Sequence, residues 1–243
     1  MMKKILVATI LAISCSPALA APQEEIGLLL QQSSVSLGKQ ITVKIGADWF
    51  QIEIPTQGYC VTSKAPDWNV VFYRPDSKLS IVVPFSEVSK KASLAGSIGA
   101  MSYTAELKIP PHHQEVHRNG FVFYQYKLPG RQNEPIFLNE KLKREEILVK
   151  QYTLSTIQTK LPKQGTLIVC RMFSLPTTPG IPYSLIGLRA DNKYNASLVT
   201  EKASTGRFKK PDFAAINKYK KAQKLEQVIY AQSPLDQYVD LIH

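Results

Sequence analysis

The chain has 243 residues, 44% hydrophobic and 20% charged, which excludes a disordered protein and supplies enough apolar surface for a sizeable core. Its formal charge of +11 favours anionic partners such as phospholipid headgroups, cell-wall polymers or nucleic acid. No run after residue 20 is long and apolar enough for a membrane-spanning helix.

The first twenty residues have the order of a secretory signal peptide: a basic head at Lys3 and Lys4, an apolar run over 5–14, and the small-residue close Ala18-Leu19-Ala20. The run is about half the ~20 residues a spanning helix needs. Cleavage after Ala20 is expected, leaving an exported chain, periplasmic or secreted, of residues 21–243; loss of Lys3 and Lys4 leaves +9. Cys15 closes the apolar run where a lipoprotein would be acylated, but Ala12-Ile13-Ser14 fits a lipobox poorly, so the anchor is the lesser reading. Cys60 and Cys170 remain. An even count in an oxidising compartment invites a disulfide, while the apolar setting of each suits a buried free thiol equally well. A bridge would close a loop of about a hundred residues and stabilise by at most ~4–5 kcal/mol in the chain-entropy model.

Residues 24–32 read as a short helix or an ordered lead-in. The period then becomes two, predicting strands over 40–45, 49–54, 58–63, 68–74 and 78–83, rich in Val, Ile, Tyr, Phe and Trp. Turn residues separate them, as in Pro55-Thr56-Gln57-Gly58 and Pro75-Asp76-Ser77, and such short links imply an antiparallel meander. A short helix is expected over 85–95, strands over 102–109, 120–128 and 149–158, and a charged link over 141–146. Residues 162–173 suit a strand by their Val, Ile and Leu, and a helix by their flanking prolines. A hairpin is expected from 182–188 and 196–204 around Ala190-Asp191-Asn192-Lys193, then mixed, partly helical segments over 212–230. The class is α+β, mostly antiparallel β, in a single domain over 21–243.

Three stretches carry a family resemblance. Asp67 to Lys78, written DWNVVFYRPDSK, resembles a strand, a Tyr-x-Pro-Asp-x-Lys turn and a second strand of LolA-type proteins. Leu161-Pro162-Lys163, the turn from Pro176 to Pro182 and the strand after it resemble their helix, turn and strand. Lys210-Pro211-Asp212-Phe213 to Tyr219-Lys220-Lys221 resembles their C-terminal close. The chain thus resembles the periplasmic lipoprotein-carrier superfamily over roughly residues 40–230. The resemblance implies an incomplete antiparallel β-barrel, a half-barrel whose open side is covered by short helices, with an apolar cavity that takes acyl chains. The carrier grips its cargo with an inward arginine, and no position here is matched to it. Trp49, Trp68, Val70, Phe72, Phe121 and Phe123 are the candidate lining, although plain core packing would use the same residues.

Candidate chemistry is sparse. His113, Glu115 and His117 would share one face of an extended strand, where two imidazoles and a carboxylate suit zinc or, with open positions, iron. Gln114 stands where a zincin has Glu, and Pro110-Pro111 with Asn119-Gly120 mark a solvated polar loop around His112, His113 and His117. Ala95-Gly96-Ser97-Ile98-Gly99 matches a nucleophile elbow only loosely and reads as a flexible loop, and Asn195-Ala196-Ser197 spells a glycosylation sequon. No cofactor motif is present in the sequence. Between Lys202 and Lys224, eight basic residues face one acid, Asp212, and Arg207, Lys209, Lys210, Lys218, Lys220 and Lys221 are the candidate anionic surface. Export and the absence of a recognition motif disfavour nucleic acid. The expectation is a non-enzymatic envelope protein that binds a lipid, an acyl chain or a lipoprotein. The alternative is an envelope scaffold or interaction module with a packed core, its basic face meeting a protein or an anionic polymer. A metal-dependent hydrolase on His113, Glu115 and His117 is the least favoured.

Overall fold

Alternation of apolar and polar residues in short segments drives most of this chain into extended structure, because each strand then buries one face and solvates the other. The computed structural model describes residues 24–91, 93–94, 107–130 and 149–230. Six strands come first: β1 (Glu24–Ser34), β2 (Gly38–Ile45), β3 (Trp49–Ile54), β4 (Tyr59–Lys64), β5 (Val70–Arg74) and β6 (Leu79–Val83). A single turn of helix, α1 (Phe85–Val88), precedes β7 (Gln114–Arg118), β8 (Phe121–Pro129) and β9 (Val149–Ile157). Helix α2 (Lys163–Met172) leads to β10 (Ile181–Arg189) and β11 (Tyr194–Lys209). The described chain ends with α3 (Phe213–Asn217), β12 (Lys220–Lys221) and α4 (Glu226–Ile229).

All twelve strands belong to one sheet, ordered β12-β6-β5-β4-β3-β2-β1-β11-β10-β9-β8-β7, which does not close on itself. Two meanders, β1 to β6 and β7 to β11, are joined where β1 pairs antiparallel with β11. Only β12 lies parallel to its neighbour, β6.

The register assigns the faces. Leu28 pairs with Ile45, Leu30 with Val43 and Gln32 with Ile41, so these six side chains share one face. Phe50, Ile52 and Ile54 of β3 continue it, as do Tyr59 and Val61 of β4 and Val70 and Phe72 of β5. Helix α2 packs on this face through Ile168, Val169 and Met172. Pro162 precedes its first turn, where a missing N–H costs nothing. Gly165 sets how closely the helix approaches Trp68. A methyl group there would lie 2.6 Å from Trp68 Cζ3 and 2.9 Å from Leu161 Cγ.

The opposite face of β5 is covered too. Val71 and Tyr73 pack with Ile216 of α3. Residues 210–230 reach this place as a strap across the sheet. Lys210 Nζ is 2.7 Å from Asp48 Oδ2, Lys64 Nζ sits 4.6 Å from the Phe213 ring centre, and the rings of Tyr219 and Tyr73 meet edge-on at 6.1 Å. Asp212 caps α3 by accepting the Ala215 N–H at 2.9 Å. Past β12 the chain turns to the other face, where α4 places Val228 in the main core. Arg74 locks that end. Its Nη1 donates to the carbonyls of Gln57 at 2.9 Å and Val228 at 3.2 Å, while Nε and Nη2 hold the Asp76 carboxylate.

Some expectations need correction, and one open alternative is settled. Residues 24–32 form neither helix nor lead-in but most of β1, because β2 and β11 satisfy its backbone on both sides. Residues 162–173 resolve as helix, since they bury one face at helical spacing against the sheet. The polar loop around His117 is an edge strand, β7, and β11 runs to Lys209, five residues past its expected end. Residues 107–109 of the expected strand 102–109 are not in a strand. The expected signal peptide with Cys15, the stretch 95–99, residues 102–106 and the link 141–146 lie outside the described residues.

Gly165→Ala gains about 1 kcal/mol of intrinsic helix propensity. The clash with Trp68 is expected to outweigh that gain, for a net loss of about 1–3 kcal/mol in urea unfolding followed by tryptophan fluorescence. A variant as stable as the parent would mean that α2 does not rest on Trp68.

Candidate functional site

The six aromatic and aliphatic residues nominated from sequence are not gathered in one place, although Phe123 joins the main core with Trp68, Val70 and Phe72 and Phe121 packs against it. Trp68, Val70 and Phe72 are 4%, 0% and 0% exposed and pack in the main core with α2. Trp49 follows the opposite parity from Phe50; its indole N–H donates to the Glu25 carboxylate, away from the core face. Phe121 and Phe123 lie on β8, where they form part of a cleft of about 540 Å³.

Tyr183, Ile186 and Val199 complete the apolar part of this cleft, and Arg118, Glu201 and Lys202 stand with them. The aromatic rings interlock: Phe121 meets Phe123 edge-on at 6.3 Å, and Phe123 meets Tyr183 at 4.8 Å. Two register shifts frame it. Pro182 pairs with Thr156 and Ser184 with Ser155, which leaves Tyr183 as the extra residue. Likewise Gln31 pairs with Lys202 and Gln32 with Thr200, which leaves Glu201 as the extra residue. Bulges re-aim side chains without breaking a sheet, and here both bulged residues line the cleft.

Buried hydrogen bonds hold this wall. Gln32 Nε2 donates to Thr200 Oγ1 at 2.8 Å and to the Pro182 carbonyl at 2.9 Å. Thr200 Oγ1 in turn donates to the Tyr183 carbonyl at 2.5 Å. Glu201 accepts from Ser33 Oγ at 2.7 Å, so its carboxylate is engaged. Arg118 and Lys202 are exposed and make no ion pair among the described residues. The cleft therefore offers an aromatic floor beside two uncommitted cations.

A smaller cleft of about 350 Å³ is lined by Pro110, His112, His113, Gln114, Gln125, Lys127 and Thr153. The His113 ring rests 4.1 Å from Tyr124 and 5.5 Å from Tyr126. Glu115 and His117 share a face of β7, with His117 Nε2 at 2.7 Å from Glu115 Oε1, both exposed. Among the described residues no group of three or more His, Cys, Asp or Glu is placed to hold a metal ion.

Cys60 and Cys170 are both free thiols, so the bridge, one of two alternatives, is not made. The reason is placement. Cys60 packs beside Val71 and Tyr73 beneath the strap, whereas Cys170 is buried in α2 with its Sγ 3.6 Å from Thr178 Oγ1. Burial, aided by the Glu53 carboxylate, pushes the Cys60 thiol up to about 11. Burial likewise raises Cys170 and the phenols of Tyr59 and Tyr73.

The basic run is divided by the fold. Lys210 is taken by Asp48. Arg207 and Lys209 lie at the end of β11, opposite Ile26 and Glu24. Lys218, Lys220 and Lys221 lie at the far edge of the sheet, beside β6. Sequence reading missed Tyr183, Ile186, Val199, Arg118 and Lys202 as one group, because no local pattern announces two bulges in neighbouring strands.

No family model matches the sequence, and no curated protein does. One solved structure that matches is an uncharacterized conserved protein from Thermus thermophilus, 8% identical, covering 82% of this chain and 90% of that one at a TM-score of 0.29. A likeness that low carries no argument about fold or function.

The raised thiol makes a pH prediction. A thiol near its ordinary ~8.5 when unfolded loses its proton before the folded one does. The folded state then binds more protons, and the stability present below that range falls as pH rises towards 11. Cys60→Ala should therefore lose less stability between about pH 8.5 and 11 than the parent in paired urea titrations. Identical alkaline slopes would place Cys60 in solvent.

Proposed function

We propose that this chain is an exported, non-catalytic binding protein of the cell envelope that takes a single-chain amphiphile: a lipid, an acyl chain or the acylated end of a lipoprotein. The observation that carries this reading is the cleft of Phe121, Phe123, Tyr183, Ile186 and Val199 with Arg118 and Lys202 uncommitted beside it. Its volume of about 540 Å³ lies within the usual range for small-molecule sites. An apolar chain loses contact with water on the aromatic floor, which favours binding by about 25 cal/mol per Å² of apolar area removed. The anionic head meets the cations. In this reading the unclosed sheet is a half-barrel, with α1, α2 and α4 on its covered side. The ligand lies not beneath those helices, where Trp68, Val70 and Phe72 already fill the space, but in the cleft.

A second reading, an envelope interaction module with a packed interior, draws on that same filled core. The two differ in whether the purified chain takes up an amphiphile. Titration of residues 21–243 with a fluorescent fatty acid is expected to saturate at one site. Ile186→Trp, which fills the cleft from its wall, should weaken uptake at least tenfold, about 1.4 kcal/mol. Arg118→Glu with Lys202→Glu should weaken the fatty acid more than the matching neutral alcohol. No uptake by the parent leaves the interaction module; uptake indifferent to Ile186→Trp removes the cleft.

A further inference from the structure

The strap builds a cationic edge that sequence order does not contain. The Lys220 N–H donates to the Lys78 carbonyl at 2.9 Å and the Ala222 N–H to the Ser80 carbonyl at 2.8 Å, which fixes β12 along β6. Lys78, from the turn between β5 and β6, is thereby set next to Lys220, which pairs with Leu79, with Lys221 one residue further along β12. Lys218 and Lys224 flank β12 in the same strap, and all five lysines are exposed. None of the five makes an ion pair among the described residues. Three acids lie in these stretches, and Asp212 is occupied capping α3. Asp76 is engaged by Arg74 and by the Ser77 N–H, which hold its carboxyl below the usual carboxylate range, and Glu226 stands in the first turn of α4. Like charges so close repel one another, and a diffuse negative surface relieves that repulsion.

We infer that this edge, Lys78 with Lys218, Lys220, Lys221 and Lys224, docks the protein on an anionic phospholipid surface. The chemistry of the patch selects this partner. Every cation is lysine, a strongly hydrated point charge suited to a spread of headgroups; the planar arginine forks that read phosphates on nucleic acid are missing from the patch. Val82, 42% exposed, lies on the same face of β6 as Ser80 and supplies an apolar contact at the rim. The sheet edge binds the membrane whether or not the cleft holds an amphiphile.

The test is co-sedimentation of residues 21–243 with vesicles of phosphatidylcholine alone and with a quarter of phosphatidylglycerol. Binding is expected only to the anionic vesicles and should fall steeply with added salt. Each lysine near such a surface contributes about fivefold to partitioning. The triple variant Lys78→Gln, Lys220→Gln, Lys224→Gln, which spares the Lys221 Nζ bond to Ser80 Oγ at 3.2 Å, should lose about a hundredfold with an unchanged thermal melt. Lys209→Gln, at the end of β11, should change less than about twofold. Equal binding to both vesicles, or a triple variant that binds like the parent, overturns the proposal. So does retention on a soluble polyanion without vesicle binding, which would assign the edge to an anionic polymer. Uptake of the fluorescent fatty acid by the triple variant should match the parent, so failure at the edge and failure at the cleft are told apart.

Discussion

The pairing of β1 with β11 is the constraint on which the other features rest. It joins the first and last strands of two separate meanders, and without it the chain would be two sheets, each with a long exposed edge. The seam is long, from Glu24 opposite Lys209 to Ser34 opposite Leu198, and it is not uniform. Gln32 is fully buried within it, and its amide is tied to Thr200 and to the Pro182 carbonyl. Those bonds replace water for its Nε2, while Oε1 is buried without a partner among the described residues. The same bonds help specify the register, since a shift of one residue would turn Gln32 to the opposite face of the sheet and break both.

The cleft follows from that seam. Glu201 is extruded from β11 where Gln31 gives way to Gln32, and Tyr183 is extruded from β10 where Thr200 anchors its carbonyl. The bonds that hold the Gln32 amide are therefore the bonds that aim the cleft. Around Trp68, by contrast, Gly165 lets α2 settle directly on the indole, which is 4% exposed. Rigidity at the core and shape at the bulges together favour a preformed site over one that must open.

The strap has a different physical role. Residues 210–230 cover Val71 and Tyr73, protect the backbone of β6 at Leu79 and Ser80, and return Val228 to the core, where Arg74 receives its carbonyl. Covering an edge with a short parallel strand limits association through that edge. It also redistributes charge. Lys210 is held by Asp48, while the lysines around β12 stay in solvent beside Lys78.

Much of the sheet was legible in the residues. Alternation over 40–45, 49–54 and 78–83, with turn chemistry between, located β2, β3 and β6 to within two residues, because a half-buried strand writes its face into every second position. Strand β1 was not legible: its Gln and Glu mask the alternation, and its core face is completed by β11, some 170 residues away. Phe121 and Phe123 were nominated as aromatics on a strand, which β8 is, while Trp49 could not be told from Phe50 until pairing assigned the faces. The edge cluster was half visible as a lysine-rich run, without Lys78, and Lys210 of that run pairs with Asp48. Composition and periodicity thus determined that this chain is a mostly antiparallel β protein with an apolar core and a basic C-terminal region. Tertiary structure alone decided where the cleft opens, which cations stay free and which thiols stay apart. Those depend on bulges, register and long-range pairing, and none of these leaves a local trace in the sequence.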